Sequence, residues 1–502
     1  MTVACMVDRS TTAGQLAGLL GTWRQSRPSY RALADRIRVL ILDGRLPPGT
    51  RMPSERDLAL ALETSRTTVT AAYAALRESR FLSSRRGAPS RTTVPPSACV
   101  PVTGAITPPS EEERHLLDIA AAALTAPPGM ADAVAAASQS LPAYLGGHGY
   151  TARGVPALCE LVARRYSERG LPTSPDQILI TGGALQAFAL TLRTFVSPGD
   201  RVLVEHPTYP NALEAIRQVP ARVVPVPLGR DGWDHAMFEA TLRQSAPRLA
   251  YLMPDFHNPT GLLMGDAARE RVAAALARTR TLAVVDETVL DLGLDVAADA
   301  MPRPLAAYAQ RGVLVIGSTS KTFWGGLGVG WLRAPASLVS RVLSARAATD
   351  LGTSILSQLT AAELLVRQEP ILAGRLSALR SQRAALVAAL RTYLPDWRFD
   401  VPLGGLSLWC EFAAPVSSAL AVLAGQEGVR LASGPKFGTD GAFERFVRLP
   451  YTLPEADLTT AVERVAKAYA RLAADYPRGH DGRPVRADER SRHSRDLTPL
   501  VT

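Results

Sequence analysis

The sequence predicts an α/β protein with a mostly parallel central sheet, preceded by a smaller, basic helical domain. Over residues 116–475, short β-branched runs alternate with longer Ala- and Leu-rich helical patterns, which is typical of a parallel sheet covered by helices. The runs are QILIT, RVLVEHP, RLAYLMP, LAVVDE, GVLVIGS and RFVRLPY. Residues 1–93 carry 15 Arg, no Lys and 7 Asp plus Glu, and therefore hold +8 of the chain's net charge of +10. Such a local excess of positive charge indicates a polyanion binder.

Composition excludes several classes of protein. The 502 residues are 47% hydrophobic and 20% charged, and no apolar run approaches the roughly 18–20 residues that span a bilayer. The first residues contain no basic segment followed by an apolar block, so we expect no signal peptide and a cytoplasmic protein. The four cysteines form no C-x-x-C pair, which argues against a disulfide framework and against a bound metal.

The basic segment opens with three predicted helices. One apolar stripe at helical spacing runs along residues 30–42, at Leu33, Ile37, Leu40 and Ile41. Ser54 is the predicted N-cap of a second helix. A short turn over 62–65 follows, and Ser65 caps a third helix. The spacing therefore predicts a helix-turn-helix.

Two short extended stretches follow the third helix. Phe81 and Leu82 begin the first, the sequence RRG marks a tight turn, and residues 91–94 form the return strand. This hairpin is the wing of a winged helix-turn-helix, whose third helix enters the major groove of double-stranded DNA. The residues predicted to contact bases or phosphates are Arg56, Ser65, Arg66, Thr67, Thr68, Arg85, Arg86 and Gly87. The alternative is a small helical bundle with solvated arginines.

Changes in composition predict where the domains begin and end. The winged helix-turn-helix is predicted over 28–93 and a Pro-rich linker over 94–115, because that stretch lacks any periodicity. The large α/β domain is predicted over 116–475. Residues 476–502 are charge-dense and nearly free of large apolar side chains, which predicts a disordered tail.

Chemically distinctive residues follow successive strand-like runs of the large domain. In chain order they are Gly183 and Ala184 at the start of a helix, then Tyr209, Asn258, Asp286 and Lys321. Ligands of parallel sheets bind beyond the carboxyl ends of the strands, so these residues are expected to meet. Each of them alone also fits an ordinary structural role, and the prediction rests on their joint order.

Together they supply what pyridoxal 5′-phosphate requires. This cofactor needs a cradle for its phosphate, a surface that stacks on its ring, a hydrogen bond to its 3-oxygen, an acid at its pyridine nitrogen and an amine for its aldehyde. Lysine is the side chain that forms a Schiff base with an aldehyde. The sequence therefore predicts pyridoxal 5′-phosphate as a cofactor.

Both halves of the chain resemble one family of regulators. The motifs are PSERDL (53–58) and SRTTV (65–69) in the first half, and DFHNPTG (255–261), VVD (284–286), STSKT (318–322) and VRL (447–449) in the second. With them, residues 30–451 resemble the MocR-type subfamily of GntR transcriptional regulators. In this subfamily a winged helix-turn-helix is fused to a fold-type I aminotransferase-like domain. The enzymes of that fold depend on pyridoxal 5′-phosphate.

The resemblance implies a role for each residue at the strand ends. Lys321 would form the Schiff base with the cofactor and Asp286 would face the pyridine nitrogen. Asn258 would bind the 3-oxygen, and Tyr209 would cover the face of the ring.

The resemblance also implies a homodimer and an effector site. Gly183, Ala184 and Ser318 would lie at the phosphate, and Arg448 would bind the α-carboxylate of an amino-acid effector. The family forms head-to-tail homodimers, so Tyr150 is expected to reach the phosphate in the partner subunit.

Three positions depart from the family pattern. Gly182 replaces a Ser of the phosphate turn, Thr288 replaces a Tyr near the 3-oxygen, and Gly328 replaces the main phosphate-binding Arg. Loss of a guanidinium that pairs with a phosphate removes a strong charge-assisted contact. All three changes are expected to weaken the binding of the cofactor.

Two accounts of these departures stay open. Ser318, Ser320 or Arg153 compensate for the lost contacts, so that a loosely bound cofactor acts as the signal. Otherwise the pocket has changed to another ligand, and Lys321 and Asp286 remain as a buried pair.

The sequence thus predicts a DNA-binding transcriptional regulator rather than an enzyme. Its aminotransferase-like domain is expected to sense an amino compound through pyridoxal 5′-phosphate bound at Lys321. The alternatives are an active aminotransferase and a regulator that senses another ligand without this cofactor.

Overall fold

The computed structural model describes residues 10–21, 23, 29–42, 45–46, 49–79, 81–83, 89–93, 104–309 and 311–473. The predicted tail over 476–502 and the predicted DNA contacts Arg85, Arg86 and Gly87 lie outside the described residues.

Helices and a short hairpin form the N-terminal domain. They are α1 (Ala13–Leu20), α2 (Ser29–Leu42), α3 (Glu55–Ala61), α4 (Arg66–Glu78), β1 (Leu82–Ser83) and β2 (Arg91–Thr92). The hydroxyls of Ser54 and Ser65 accept hydrogen bonds from the N–H groups of Asp57 and Thr68, both at 3.1 Å. Strands β1 and β2 pair antiparallel, with Leu82 opposite Thr92. The three predicted helices, their caps and the wing strands are therefore confirmed.

Helix α1 is an element that sequence analysis missed. It begins with a capping box, in which Thr12 accepts from the N–H of Gln15 and Gln15 accepts from the N–H of Thr12. Leu16 and Leu20 are fully buried in the same apolar cluster as Leu58 of α3. The T-x-x-Q spacing was the signal that could have identified this helix.

The large domain alternates strands and helices. Its strands are β3 (Leu117–Ile119), β4 (Ile178–Thr181), β5 (Arg201–His206), β6 (Arg222–Gly229), β7 (Gly232–Trp233), β8 (Leu249–Leu252), β9 (Leu282–Asp286), β10 (Val313–Ser318), β11 (Gly330–Arg333), β12 (Ser407–Glu411), β13 (Val429–Ser433) and β14 (Phe446–Pro450). Its helices are α5 (Met130–Ser140), α6 (Pro142–Leu145), α7 (Pro156–Glu168), α8 (Ala184–Phe195), α9 (Pro210–Gln218), α10 (His235–Ser245), α11 (Asp266–Thr279), α12 (Ala336–Arg346), α13 (Ile355–Val366), α14 (Gln368–Tyr393), α15 (Ser417–Gln426) and α16 (Glu455–Ala473).

Eight strands form the central sheet, in the order β4-β11-β10-β9-β8-β5-β6-β7. The neighbours from β10 to β6 are parallel, whereas β11 is antiparallel to β10 and β4, and β7 is antiparallel to β6. Along β5, Leu203 packs in one apolar cluster while Val202 and Val204 pack in another. Because successive side chains of a strand point to opposite faces, the sheet is buried on both sides. The predicted mostly parallel α/β fold is confirmed.

A second sheet, in the order β12-β14-β13-β3, packs with α14, α15 and α16 around its own apolar core. The last predicted strand, in RFVRLPY, lies in this sheet as β14 and not in the central one. Residue Arg448 therefore reaches the functional site from a different layer than the other predicted residues.

Part of the predicted linker packs against the large domain. The Ile106 N–H donates to Asn211 Oδ1 at 2.8 Å, and Asn211 Nδ2 donates to the Ile106 carbonyl at 3.1 Å. The Thr107 carbonyl accepts from Arg430 at 2.7 Å. Composition indicated the lack of regular structure here but gave no sign of this packing.

The two domains also meet away from the linker. Arg36 of α2 and Arg45, which follows α2, lie 3.4 Å and 3.6 Å from the Glu444 carboxylate of the large domain. None of the described helices is both long and apolar enough to cross a membrane.

Candidate functional site

A cavity of about 480 Å³ lies at the carboxyl ends of β4, β5, β8, β9 and β10. The predicted residues that line it are Gly182, Gly183, Ala184, Tyr209, Asn258, Asp286, Ser318, Ser320, Lys321 and Arg448. The structure therefore brings together the predicted cofactor and effector residues with one exception, Tyr150. That side chain is 60% exposed and lies outside the cavity of its own chain.

Lys321 follows β10 in a helical turn over Ser320–Trp324. Its Nζ donates to the Ala122 carbonyl at 2.6 Å. Burial, reinforced by the positive charge of Arg448 and opposed by the carboxylate of Asp286, lowers the pKa of Lys321 to about 8. The unprotonated amine is the nucleophile toward an aldehyde, so the lowered pKa favours the nucleophilic form of Lys321 near neutral pH.

Asp286 is the last residue of β9 and is buried. One carboxylate oxygen accepts from the Tyr251 hydroxyl at 2.5 Å, and the other accepts from the Thr288 N–H at 2.9 Å. Burial raises the pKa of Asp286, and these hydrogen bonds oppose the rise. Thr288, which stands where the family has a Tyr, thus stabilises the Asp286 carboxylate through its backbone N–H.

Arg448 of β14 is buried beside Asn258. Its Nη1 donates to Asn258 Oδ1 at 3.1 Å, its Nη2 donates to the Ala120 carbonyl, and its guanidinium carbon lies 5.0 Å from the centre of the Phe437 ring. Burial lowers the pKa of Arg448 to about 10. Among the described residues its Nε has no hydrogen-bond partner, and the nearby carboxylate of Asp118 opposes the lowering of its pKa. A buried donor without an acceptor is costly, so a ligand carboxylate would be stabilised here.

The turn before α8 forms another wall of the cavity. Ala184 is the first helical residue, and the N–H groups of a first helical turn lack acceptors within the helix and attract anions. The Gly182 N–H donates to Gln186 Oε1, and Gln186 Nε2 donates to Asp350 at 2.7 Å. A Cβ at Gly330 would lie 2.6 Å from the Gly183 carbonyl carbon. Close packing thus holds the turn in place.

Polar groups without a positive charge complete this wall. The hydroxyls of Ser318 and Ser320 lie 2.6 Å apart, and Gly328 has a φ of +60° with open space where a Cβ would stand. Among the described residues that line the cavity, the lysine and arginine side chains are Lys321 and Arg448. Arg153 instead donates to the Asp176 carbonyl. The structure thus supplies donors for a phosphate but no arginine in the place of the family's.

Several cavity residues had not been predicted. Tyr251 is fully buried and its ring centre lies 4.7 Å from that of Phe188. A polar aromatic residue inside the apolar run RLAYLMP was a signal for Tyr251. Residues 106–109 of the predicted linker and residues 121–123 also line the cavity, and nothing in the sequence indicated this.

The predicted DNA contacts within the described residues lie on α3 and at the start of α4. Arg56, Ser65, Arg66 and Thr67 are exposed, whereas Thr68 is half-buried. The Ser65 hydroxyl lies 2.8 Å from that of Thr67 and 2.7 Å from that of Thr68. The hydroxyl of Ser65 is therefore already engaged at the helix cap. The exposed side chains of Arg56 and Arg66 are better placed to contact DNA.

Comparison with known proteins identifies the family. Residues 115–465, more than half of the chain, match the aminotransferase class I and II family, and residues 29–91 match the gntR family of bacterial regulatory proteins. The chain belongs to the aminotransferase class I and II family. Its gntR-family domain makes it a MocR-type GntR regulator, as predicted.

Two regulators and one enzyme illustrate the similarity. The uncharacterized HTH-type transcriptional regulator YisV of Bacillus subtilis is 28% identical over 488 residues, which cover 90% of this chain and 99% of YisV. The probable rhizopine catabolism regulatory protein MocR of Rhizobium meliloti is 27% identical over 423 residues, which cover 77% of this chain and 82% of that protein.

The enzyme is LysN, the α-aminoadipate aminotransferase of Thermus thermophilus. Its structure, complexed with N-(5′-phosphopyridoxyl)-L-leucine, superposes with a TM-score of 0.65 at 29% identity and covers 72% of this chain and 94% of LysN. The MocR-type chain is thus a DNA-binding transcriptional regulator built on an aminotransferase fold.

Proposed function

We propose that the large domain of this regulator binds pyridoxal 5′-phosphate through Lys321 and senses an amino compound that carries a carboxylate. The observation that supports this proposal is the convergence of three side chains on one cavity. They are Lys321, an amine with a lowered pKa, Asp286, a buried acid, and Arg448, a buried guanidinium whose Nε has no partner among the described residues.

The residues present fit the cofactor at four places. Lys321 faces the cavity for the aldehyde, Asp286 for the pyridine nitrogen, Asn258 for the 3-oxygen and Tyr209 for the ring. The orphaned Nε of Arg448 fits the carboxylate of an effector.

When bound, pyridoxal 5′-phosphate supplies an aldehyde that condenses with primary amines. Lys321 supplies such an amine, and its pKa of about 8 keeps part of it unprotonated at neutral pH. The Tyr251 hydroxyl and the Thr288 N–H stabilise the charged form of Asp286, which would face the pyridine nitrogen. Arg448 orients the effector by its carboxylate and is itself held by Asn258.

The wall of the cavity formed by the turn before α8, Ser318 and Ser320 would hold the phosphate, and its composition favours a sensor over a fast enzyme. Gly328 leaves that wall without the arginine that the family carries, so the phosphate relies on hydroxyls and on the N-terminus of α8. A second copy of the chain would add Tyr150, whose side chain is 60% exposed in its own chain. We therefore propose a head-to-tail homodimer in which occupancy, rather than turnover, carries the signal.

An active aminotransferase is the second candidate, because Lys321 and Arg448 occupy a fold shared with LysN at 29% identity. Amino-acid turnover at the rates of ordinary enzymes, about 1–10³ s⁻¹, would favour this candidate over the sensor.

The proposal is tested by covalent trapping. The full chain is incubated with pyridoxal 5′-phosphate, reduced with borohydride, digested and examined by mass spectrometry. The label is expected on the peptide that contains Lys321 and is expected to be lost in Lys321→Ala. Lys467→Ala is the matched control, because Lys467 is exposed and pairs with Glu463 at 2.9 Å. Absence of a label at saturating cofactor would sink the proposal and leave a sensor of another ligand.

A further inference from the structure

The two cations of the cavity donate hydrogen bonds to neighbouring carbonyls of one short segment. Lys321 Nζ donates to the Ala122 carbonyl at 2.6 Å, and Arg448 Nη2 donates to the Ala120 carbonyl. These are the donors that the proposed function assigns to a cofactor and to a carboxylate. Backbone carbonyls therefore stand where ligand oxygens would compete for the same donors.

A single carboxylate builds the turn that presents these carbonyls. Asp118 Oδ1 accepts from the N–H groups of Ala120 and Ala121 at 2.9 Å and 3.1 Å. Arg430 of β13 lies 3.1 Å from the Asp118 carboxylate. The side chains of Asp118 and Arg430 thus hold the turn, in addition to Lys321 and Arg448.

The same arginine holds the end of the linker. Arg430 donates to the Thr107 carbonyl at 2.7 Å and lies 3.5 Å from the Glu113 carboxylate. Asn211, in the first turn of α9, exchanges two hydrogen bonds with the backbone of Ile106. Ile106 and Thr107 line the cavity themselves. Residues 104–123 therefore form one connected segment, called the latch here, that runs from the linker to the cavity cations.

We infer that the latch is a ligand-displaced coupling element between the cavity and the DNA-binding domain. The inference rests on the proposed function and adds how occupancy is transmitted. A ligand carboxylate that binds Arg448 competes with the Ala120 carbonyl, because a charged acceptor forms the stronger hydrogen bond. A ligand that occupies the space beside Lys321 competes with the Ala122 carbonyl in the same way.

Release at these two points would reach the DNA-binding domain through the chain itself. The turn at 118–122 shares Arg430 with the linker, so loss of the turn weakens the attachment of residues 107–113. Strand β2 of the wing ends at Thr92 and the latch begins at residue 104 of the same chain. A ligand shifts the equilibrium because it binds the released state better than the latched state.

The experiment uses the full chain and N-(5′-phosphopyridoxyl)-L-leucine as the probe. This compound carries the phosphate, the ring and a carboxylate, and it has no aldehyde that could react with Lys321. Equilibrium dialysis measures its binding, and hydrogen exchange with mass spectrometry follows the amides of the same samples. The N–H groups of Ile106, Ala120 and Ala121 are expected to exchange about tenfold faster or more with the probe, while β10 stays protected.

The outcomes separate the inference from the proposed function. Binding of the probe with unchanged or slower exchange in the latch overturns the inference and leaves the proposed function standing. No binding at saturating probe overturns both, because then the cavity is not a site for this cofactor class.

A variant tests the coupling without a ligand. Asn211→Ala removes the linker anchor at a residue that does not itself line the cavity. It is expected to raise latch exchange without the probe and to shift DNA affinity about fivefold or more, in the direction that the probe shifts the native chain. The DNA is a duplex selected from a random library by the full chain. Gln218→Ala, on the same helix and bonded to Glu214 instead, is the matched control.

A graded variant keeps this test informative if Asn211→Ala unfolds. Asn211→Asp retains the acceptor for the Ile106 N–H but loses the donor to its carbonyl, so an intermediate shift is expected. Asn211 variants that fold, as thermal unfolding shows, and bind DNA like the Gln218→Ala control would overturn the inference.

Discussion

The DNA-binding helices and the cavity position their functional residues in opposite ways. Arg66 and Thr67 are neighbours in sequence on the exposed first turn of α4. The cavity joins residues as distant as Gly182 and Arg448, from two sheets, and buries most of them. The first site depends on a helix cap and a small core, and the second on the packing of the whole large domain. Unfolding of the N-terminal core should therefore leave the cavity folded.

Leu58→Ala is expected to have the largest effect. It tests whether the cavity stays folded when the N-terminal core is destabilised. Leu58 is fully buried in the core of the N-terminal domain, and the truncation of a buried Leu costs about 2–5 kcal/mol. DNA binding should be lost while trapping of the cofactor at Lys321 persists. Leu60→Ala, on the same helix but 81% exposed, should be neutral in both assays. Loss of trapping in Leu58→Ala would show that the domains are not separable.

Arg448→Gln should weaken ligand binding in the cavity. Hydrogen bonds to charged groups contribute about 1.5–3 kcal/mol, so the affinity for N-(5′-phosphopyridoxyl)-L-leucine should fall roughly 10- to 150-fold. Pyridoxal 5′-phosphate lacks the carboxylate and serves as the control ligand in the same dialysis measurement. An equal loss for both ligands would contradict the carboxylate role.

Arg66→Ala should weaken the DNA site without affecting the cavity. A base contact contributes about 1–3 kcal/mol of discrimination, so sequence-specific affinity should fall and relax toward that for random duplexes. Arg56→Ala, at an exposed position predicted to contact phosphate, should weaken all duplexes alike and lower the salt slope by about one. Fluorescence anisotropy at several salt concentrations distinguishes the two. Unchanged specificity in Arg66→Ala would refute the placement of the recognition helix.

Gly328→Arg would restore the missing phosphate cation. The charge-assisted contact should tighten pyridoxal 5′-phosphate about tenfold, whereas the φ of +60° should cost about 1–2 kcal/mol of stability. Equilibrium dialysis should therefore show a higher affinity for the cofactor, and thermal unfolding should show a lower stability of the protein. Gly325→Arg, in the same loop but at an ordinary φ with open space around it, is the control. Equal tightening in both variants would mean that general charge, not position, is responsible.

The pH dependence of cofactor trapping should be the mildest effect. The pKa of Lys321 is lowered from 10.5 to about 8, so the neutral amine predominates above that pH and the ammonium below it. The initial rate of trapping should rise about tenfold from pH 7 to pH 9 and then level. A rate that keeps rising through pH 10 would indicate an amine with an ordinary pKa.

Local signals in the sequence were sufficient for most of the fold. Ser54 and Ser65 were predicted as caps because each directly precedes a helical run, and each hydroxyl accepts from the N–H three residues further on. The strand-end residues were predicted because parallel strands deliver their carboxyl ends to one edge. The roles of these residues and the domain boundaries stay predictions, as does the homodimer.

The sequence by itself thus determined the family, the DNA-binding helices and the strand-end half of the cavity. Only the tertiary structure revealed the other half, where Tyr251 supports Asp286 and the carbonyls of Ala120 and Ala122 engage Arg448 and Lys321. A backbone carbonyl is present at every residue and carries no sequence signature, so the partner it meets 199 residues away is decided by packing alone.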